Sequence, residues 1–174
     1  PAGRGVQYGL REYFRPPDDV TRAKLNGTLE GKRIVVQGLG NVGYHAAKLL
    51  SEEDGAKITG IIERDGAISS ADGLDVEAVK QHIIANGGVK GFPGADYTEA
   101  GASMLEADCD ILIPAAMESI ITRQSAAKIQ APLIAEAANG PITFAADEIL
   151  RDKGTVIIPD AYLNAGGEGD RAVG

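Results

Sequence analysis

The chain has 174 residues, with 17 Lys and Arg against 25 Asp and Glu and a net charge of −8, which argues against nucleic-acid binding because phosphate neutralisation needs clustered basic residues. Its length fits one domain that folds without stabilising disulfides or metal ions, and a single cysteine excludes a disulfide framework. It contains no apolar run of about 18 residues and no apolar signal-peptide stretch near residue 1, so we expect a soluble, cytoplasmic protein that binds no membrane.

The first segment has an amphipathic pattern that predicts a helix over 3–14. Its apolar positions are Val6, Leu10, Tyr13 and Phe14. Pro16 and Pro17 end this helix, and the pattern over 18–29 predicts a polar helix or loop. Because a helix before the first strand is common where a domain continues from another, we interpret residues 1–30 as a helical lead-in from a missing upstream domain.

Five short runs rich in Val, Ile and Leu follow along the chain. They are residues 34–36, 58–62, 111–113, 133–135 and 156–158. None alternates cleanly between apolar and polar residues. Continuous apolar runs of this length are typical of strands that are buried on both faces, as in parallel sheets.

Helical patterns separate these runs. They cover residues 41–53, 75–86, 123–129 and 144–153. Asp75 and Gly87 fit the two ends of the second of these helices, and Thr122 and Thr143 fit the first positions of the third and fourth. Strands that alternate with helices predict an α/β fold with a doubly wound, mostly parallel sheet, here preceded by an N-terminal helix.

A glycine motif joins the first strand to the first of these helices. It reads Gly38-Leu39-Gly40-Asn41-Val42-Gly43, which is G-x-G-x-x-G between a strand and a helix. Gly38 permits the tight turn, Gly40 allows backbone amides to approach a pyrophosphate, and Gly43 allows close packing of helix and strand. With Asn41 and Val42, these residues form a predicted phosphate-binding helix N-terminus of the Rossmann type.

The motif also predicts an acidic residue about 20 positions further on, and Glu63 lies at that spacing at the end of the second strand. A carboxylate at this position accepts hydrogen bonds from both adenosine ribose hydroxyls and repels a 2′-phosphate. Arg64 is next to it and is able to stack on adenine or to neutralise such a phosphate. We therefore favour NAD as the cofactor and leave NADP open.

Other residues follow the predicted carboxyl ends of later strands, where open α/β sheets bind ligands. Ala115 and Ala116 are small enough to leave room for a cofactor, and Asn139 and Asn164 carry amides suited to a carboxamide or a substrate. By composition alone, both asparagines are better explained as turn residues than as ligand contacts. Arg4 is the one cation that we place near this cleft.

The remaining reactive side chains point to no catalytic or metal site. Cys109 lies between Asp108 and Asp110, whose charges raise a thiol pKa and disfavour a nucleophile. The acidic residues Asp54, Asp65, Asp72 and Asp75 are scattered in predicted turns and are not arranged as a metal site. We assign no catalytic residue and no metal ligand to this chain.

The sequence resembles the C-terminal, dinucleotide-binding domain of glutamate dehydrogenase, within the family of glutamate, leucine, phenylalanine and valine dehydrogenases. The stretches that carry the resemblance are GRGV at 3–6, VVQGLGNVG at 35–43, GFP at 91–93, EADCDILIPAA at 106–116, AEAANGP at 135–141 and IPDAYLNAGG at 158–167. The resemblance implies that Glu63 holds the adenosine ribose and that Ala115 and Ala116 line the adenosine channel. It places Asn139 by the nicotinamide ribose and Asn164 by the carboxamide and the substrate's amino group.

The resemblance also implies an NAD(P)-dependent enzyme that converts L-glutamate to 2-oxoglutarate and ammonia. It further implies that the whole enzyme is a homo-oligomer, specifically a hexamer. In that family the catalytic lysine and aspartate belong to another domain, so we expect residues 31–167 to bind the cofactor and the chain alone to be inactive. Residues 168–174 lack the family's next helix, and we interpret them as a tail, for which an artificial origin is one explanation.

Three alternatives remain from the sequence. The first is the cofactor domain of a leucine, phenylalanine or valine dehydrogenase. The second is a stand-alone NAD-binding regulatory module. The third is a methyltransferase, whose glycine loop and ribose-binding acid look alike, although no terminal hairpin is visible after Val156.

Overall fold

The computed structural model describes residues 2–15, 25, 27–116 and 120–159. Its helices are α1 (Ala2–Phe14), α2 (Asn41–Asp54), α3 (Val76–Asn86), α4 (Arg123–Ala126) and α5 (Phe144–Asp152), with a 3₁₀ helix at Gly101–Glu106. Its strands are β1 (Arg33–Gln37), β2 (Lys57–Glu63), β3 (Gly66–Ser69), β4 (Asp96–Thr98), β5 (Ile111–Pro114), β6 (Leu133–Ala135) and β7 (Val156–Ile158). No helix in this part of the chain has the length and apolar character needed to cross a membrane.

Within the described residues, the strands form one seven-stranded sheet in the order β4-β3-β2-β1-β5-β6-β7. The strands from β2 through β1, β5 and β6 to β7 pair in parallel, and β3 and β4 extend the sheet as antiparallel strands. The prediction of an α/β fold with a mostly parallel sheet and a preceding helix is thus confirmed. From β1, the strand order runs outward to β2, β3 and β4 on one side and to β5, β6 and β7 on the other. This change of direction leaves a crevice at the end of β1, between β2 and β5.

The sheet is buried on both faces, which explains the uninterrupted apolar runs. Ile34 and Val36 of β1 pack on the side that carries α1, α2 and α3. Val35, between them, packs on the other side with Leu105 of the 3₁₀ helix and Leu150 of α5. Successive residues of one strand therefore face two separate helical layers, as a doubly wound sheet requires.

The antiparallel pair and the 3₁₀ helix were not predicted from the sequence. β3 follows β2 after only Arg64 and Asp65, a pair without the glycine that usually marks a two-residue hairpin. β4 has three residues, too few to show an alternation of apolar and polar positions. These two strands extend the sheet beyond β2, next to the predicted cofactor acid.

The predicted helix ends are mostly confirmed. The Asp75 carboxylate accepts from the amide of Ala78 at 3.1 Å, and Gly87 ends α3 with a φ of 82°. Thr143 accepts from the amide of Ala146 at 3.2 Å at the start of α5. The prediction that α4 runs to residue 129 was wrong, since its regular turns end at Ala126.

A lysine directly after α5 explains where α4 ends. The ammonium of Lys153 donates to the carbonyl oxygens of Ala126, Ala127 and Ile129 at 3.2, 3.3 and 2.7 Å. The last carbonyls of a helix need hydrogen-bond donors from outside it. Since Lys153 supplies them, the chain turns toward β6 without a longer helix.

Helix α1 packs along α2, and its polar contacts lie at the carboxyl end of α2. The Arg4 guanidinium pairs with Glu53 at 2.8 Å, and the buried amide of Gln7 donates to Glu53 and Asp54. Because the glycine loop is at the opposite end of α2, the expectation that Arg4 lies near the cofactor cleft was wrong. Residues 18–24, which fall in the predicted polar helix or loop, lie outside the described residues.

The junction between β1 and α2 depends on a contact of one glycine with another. A Cβ atom on residue 43 would overlap the carbonyl oxygen of Gly38 and would also stand 3.2 Å from the Cβ of Ala115. Gly40 has an ordinary φ of −74° and no atom within 4 Å of the place where its Cβ would stand. The two glycines therefore serve different purposes.

We predict that Gly43→Ala lowers the free energy of unfolding by about 1–3 kcal/mol, because an inserted methyl group forces backbone atoms apart. Gly40→Ala is the matched control, and its free energy of unfolding should stay within about 0.5 kcal/mol of the wild-type value. Urea unfolding followed by circular dichroism measures both. A Gly43→Ala protein as stable as the control would contradict the proposed close approach.

Candidate functional site

A cleft of about 920 Å³ opens at the carboxyl edge of the sheet, over the ends of β1, β2 and β5. It is lined by residues of the glycine loop, of the β2–β3 turn, of the segment from β4 into the 3₁₀ helix, and of the segment after β5. They are Gln37, Gly38, Gly40, Ile62, Glu63, Arg64, Gly66, Gly87, Glu99, Ala100, Gly101, Ala102, Leu105, Ala115, Ala116 and Ile120. The cleft thus lies at the crevice where the strand order changes direction, the usual ligand site of such sheets.

The glycine loop forms the floor of this cleft. Gly38 has a φ of +91°, and a Cβ there would collide with the Cβ of Ala116, so the turn requires glycine. Gly40 leaves open space above the loop. Hydrogen bonding in α2 begins with the amide of Tyr44 donating to the Gly40 carbonyl at 2.9 Å, and the amides before it are available to an anion.

Leu39, between the first two glycines, is hydrogen-bonded through both its main-chain amide and its main-chain carbonyl. The amide of Leu39 donates to the Glu63 carboxylate at 3.3 Å, and the Leu39 carbonyl accepts from the Lys80 ammonium at 2.8 Å. The Leu39 side chain is buried in the core. Sequence reasoning missed Lys80, since no local pattern links a residue of α3 to a loop 41 positions earlier.

The acidic end of the cleft lies over β2. Glu63 is half-buried and Arg64 is exposed, and both line the cleft. The sequence did not predict Glu99 and the small residues Ala100 and Ala102, which form the wall beyond β4. These residues follow β4, a strand that the sequence did not predict, so their position in the cleft was not predicted either.

Gln37, the last residue of β1, was also missed. The residue is only 8% exposed, and its side-chain Oε1 accepts from the amide of Ala116 at 3.2 Å. Its main-chain carbonyl accepts from the amide of Ala115 at 2.8 Å. Gln37 therefore fixes the segment after β5, which places Ala115 and Ala116 in the lining of the cleft.

The other predicted site residues are distributed as follows. Asn41 and Val42 form the first turn of α2 and Gly43 is buried behind the loop, so none of the three lines the cleft itself. Asn139 is exposed beyond the end of β6 and is not part of this lining. Asn164 lies outside the described residues.

Cys109 is buried, and burial, with the charge of Asp110 as a second cause, raises the pKa of its thiol to about 12. The thiol therefore stays protonated near neutral pH, and the prediction that it is no activated nucleophile is confirmed. Burial is the larger cause, whereas the sequence had pointed to the neighbouring aspartates. Within the described residues, no three His, Cys, Asp or Glu side chains cluster as a metal site would require.

Comparison with known proteins gives a family match over nearly the whole chain. A profile described as Glutamate/Leucine/Phenylalanine/Valine dehydrogenase matches residues 3–168. The chain is 50% identical over 167 residues to a probable glutamate dehydrogenase of Sinorhizobium fredii, which covers 95% of the chain and 37% of that protein. It is 48% identical over 165 residues to the mitochondrial glutamate dehydrogenase of Dictyostelium discoideum, with 95% and 33% covered.

A third relative is an NADP-specific glutamate dehydrogenase of Saccharolobus shibatae, 46% identical over 145 residues, with 83% of the chain and 34% of that protein covered. Among solved structures, the hetero-hexameric glutamate dehydrogenase of Thermus thermophilus in its Leu-bound form superposes with a TM-score of 0.78 at 29% identity, covering 92% of this chain and 35% of that one. The chain therefore spans about a third of the length of these relatives. By this match and its fold, it belongs to the glutamate/leucine/phenylalanine/valine dehydrogenase family.

Proposed function

We propose that this chain binds a nicotinamide dinucleotide, NAD in preference to NADP, as the cofactor-binding part of a glutamate dehydrogenase. The observation that carries the proposal is the open space above Gly40 at the N-terminus of α2, inside a cleft that also contains Glu63. A helix N-terminus supplies amide donors and a positive dipole end for a pyrophosphate. A carboxylate at the end of the neighbouring strand supplies acceptors for ribose hydroxyls.

The fit between this cleft and a dinucleotide is supported by its shape and its size. The floor would be filled by any side chain on residue 40, and glycine leaves it free for a phosphate to approach the backbone. The volume of about 920 Å³ lies within the range of cofactor and ligand sites in proteins. Gly38, Gly40, Ala115 and Ala116 would contact the dinucleotide along its length, with Asn41, Val42 and Gly43 supplying the helix end.

The preference for NAD is inferred from charge. Glu63 and Glu99 both line the acidic end of the cleft, where a 2′-phosphate would stand, and Arg64 is their one cationic neighbour in the described lining. Two carboxylates repel a phosphate more than one exposed guanidinium attracts it. NADP remains the second candidate, since the relative from S. shibatae carries the name NADP-specific.

Glutamate is the proposed substrate of the whole enzyme because three relatives, at 46–50% identity, are named glutamate dehydrogenases. The nicotinamide supplies the hydride acceptor for oxidation at the substrate's Cα. We infer from the family resemblance that the acid–base groups lie outside these 174 residues, and no lysine is part of the described cleft lining. Asn139 and Asn164 are proposed to lie near the nicotinamide half and the substrate.

The proposal extends to the organisation of the enzyme. We assign residues 31–167 to cofactor binding, residues 1–30 to a lead-in from an upstream domain, and residues 168–174 to a tail. Assembly into a hexamer is proposed for the whole enzyme, in keeping with the hexameric relative from T. thermophilus. A cytoplasmic location stays a prediction, because one relative is named as mitochondrial.

We predict that the wild-type chain binds NAD at least about tenfold more tightly than NADP, and that Glu63→Ser narrows this ratio. The carboxylate repels a 2′-phosphate and accepts from the ribose hydroxyls of NAD, and serine lacks the charge. Calorimetric titration of each dinucleotide measures the ratio. Glu52→Ser, at an exposed site toward the far end of α2, is the matched control and should leave the ratio unchanged. Equal or tighter NADP binding by the wild type would refute the preference and point to Arg64 as a phosphate ligand.

Gly40→Val is predicted to reduce NAD affinity by at least about a hundredfold, because the side chain would occupy the space that the pyrophosphate needs. The protein should still fold, since φ at this position is ordinary and nothing lies within 4 Å of the added Cβ. Circular dichroism checks the fold, and calorimetry measures the affinity. Undiminished NAD binding by a folded Gly40→Val protein would place the cofactor elsewhere.

We also predict that the 174-residue chain alone produces no NADH from glutamate and NAD. Hydride transfer needs a base within hydrogen-bond reach of the substrate's ammonium proton and a pocket for both substrate carboxylates. Absorbance at the NADH band, with a full-length relative as the positive control, measures the rate. Steady glutamate-dependent NADH formation by the pure chain would require a complete catalytic set within it.

A further inference from the structure

We propose that Gln37 is a direct ligand of the cofactor. Its side-chain amide nitrogen donates to oxygens of the pyrophosphate and the adjoining ribose, between the two bases of the dinucleotide. This inference rests on the proposed function and adds to it a residue outside the glycine motif. Gln37 ends β1 directly before Gly38, lines the cleft, and is more than nine-tenths buried.

The orientation of this amide is set by its partner. The main-chain amide of Ala116 is a donor, so the atom that faces it at 3.2 Å has to be the acceptor Oε1. The contact of the Gln37 carbonyl with the amide of Ala115 fixes the backbone at the same position. Nε2 then points away from the β5 segment, and a flipped amide would set two donors against each other.

Among the described residues, the two N–H donors of Gln37 have no acceptor. Within this part of the chain, its one side-chain hydrogen bond is the contact with Ala116. No buried side-chain nitrogen or oxygen among the described residues lacks a partner, so Nε2 is not sealed in the core. Because Gln37 lines the cleft, we infer that Nε2 opens on it, as a neutral donor pair on a side chain that packing and a hydrogen bond already hold.

The position of β1 indicates which part of a dinucleotide these donors meet. Gln37 pairs with Ile62 on β2, one residue before Glu63, and with Pro114 on β5. A dinucleotide with its adenosine ribose at Glu63 reaches the β5 side by crossing the end of β1, since β1 lies between the two strands. The atoms above Gln37 are then the pyrophosphate oxygens and the adjoining ribose, all of them hydrogen-bond acceptors.

The test uses Gln37→Glu, which retains an oxygen to accept from Ala116 and replaces the donors with a charged oxygen. At pH 8 we expect the affinities for NAD and for ADP-ribose to fall at least about tenfold, since a donor to an anion is lost and a like charge is introduced. The affinity for adenosine, which lacks phosphate, should stay within about twofold. Gln130→Glu adds the same charge at the opposite edge of the sheet and should change none of these affinities.

The pH dependence separates ligand contact from a purely structural role. Lowering the pH to 5.5 should recover much of the NAD affinity of Gln37→Glu relative to the wild type, because a protonated carboxyl is uncharged and again a donor. Burial favours this protonation. A substitution that only disturbed the loop would not regain affinity in this way.

A second measurement needs no variant. In the wild-type protein, the NMR signals of the Gln37 side-chain NH₂ should shift on addition of ADP-ribose and stay in place with adenosine. Unmoved signals, or a folded Gln37→Glu protein that binds NAD within about twofold of the wild type at pH 8, would overturn this inference alone. A wild-type protein that binds no NAD would instead overturn the proposed function, and the role of Gln37 with it.

Discussion

The contact between Gly43 and the carbonyl oxygen of Gly38 is the constraint on which the cleft depends. With no side chain on residue 43, α2 starts directly above the end of β1, and the first amides of that helix face the crevice between β2 and β5. Any larger residue would move the helix away from the strand by part of a side-chain diameter. The dipole end and the amides would then lie too far from the floor of the cleft to act together on an anion.

Three side chains from separate elements hold this loop in place. Glu63 from β2 accepts from the Leu39 amide, and Lys80 from α3 donates to the Leu39 carbonyl. Gln37, directly before the loop, accepts from the segment after β5. A glycine-rich loop is flexible in isolation because glycine restricts the backbone least. External hydrogen bonds on both sides reduce that freedom before any ligand binds, so less ordering entropy is lost on binding.

The parts of the fold and site that the sequence predicted are those encoded locally. The glycine motif and Glu63 are recognisable within one strand–helix–strand unit, and the caps Asp75 and Thr143 are each recognisable at one helix end. The parallel sheet follows from runs buried on both faces. The roles of Lys80 and Gln37 depend on contacts between residues 41 and 79 positions apart, which a one-dimensional pattern does not carry. The strands β3 and β4 were missed because they are too short to show periodicity, and Glu99 was missed with them.

The charge of the chain constrains how it would hold an anionic dinucleotide. The net charge is −8, and among the described residues that line the cleft Arg64 is the one cation, beside two carboxylates. The ammonium of Lys80 lies near the loop, although its bond goes to the Leu39 carbonyl. Attraction of the pyrophosphate therefore depends mainly on groups without formal charge: the amides at the start of α2, the helix dipole and the Gln37 amide. Such donors are directional and are held in place by the fold, so they select the geometry of the phosphate as well as its charge, and the Glu63 carboxylate is left to select the ribose.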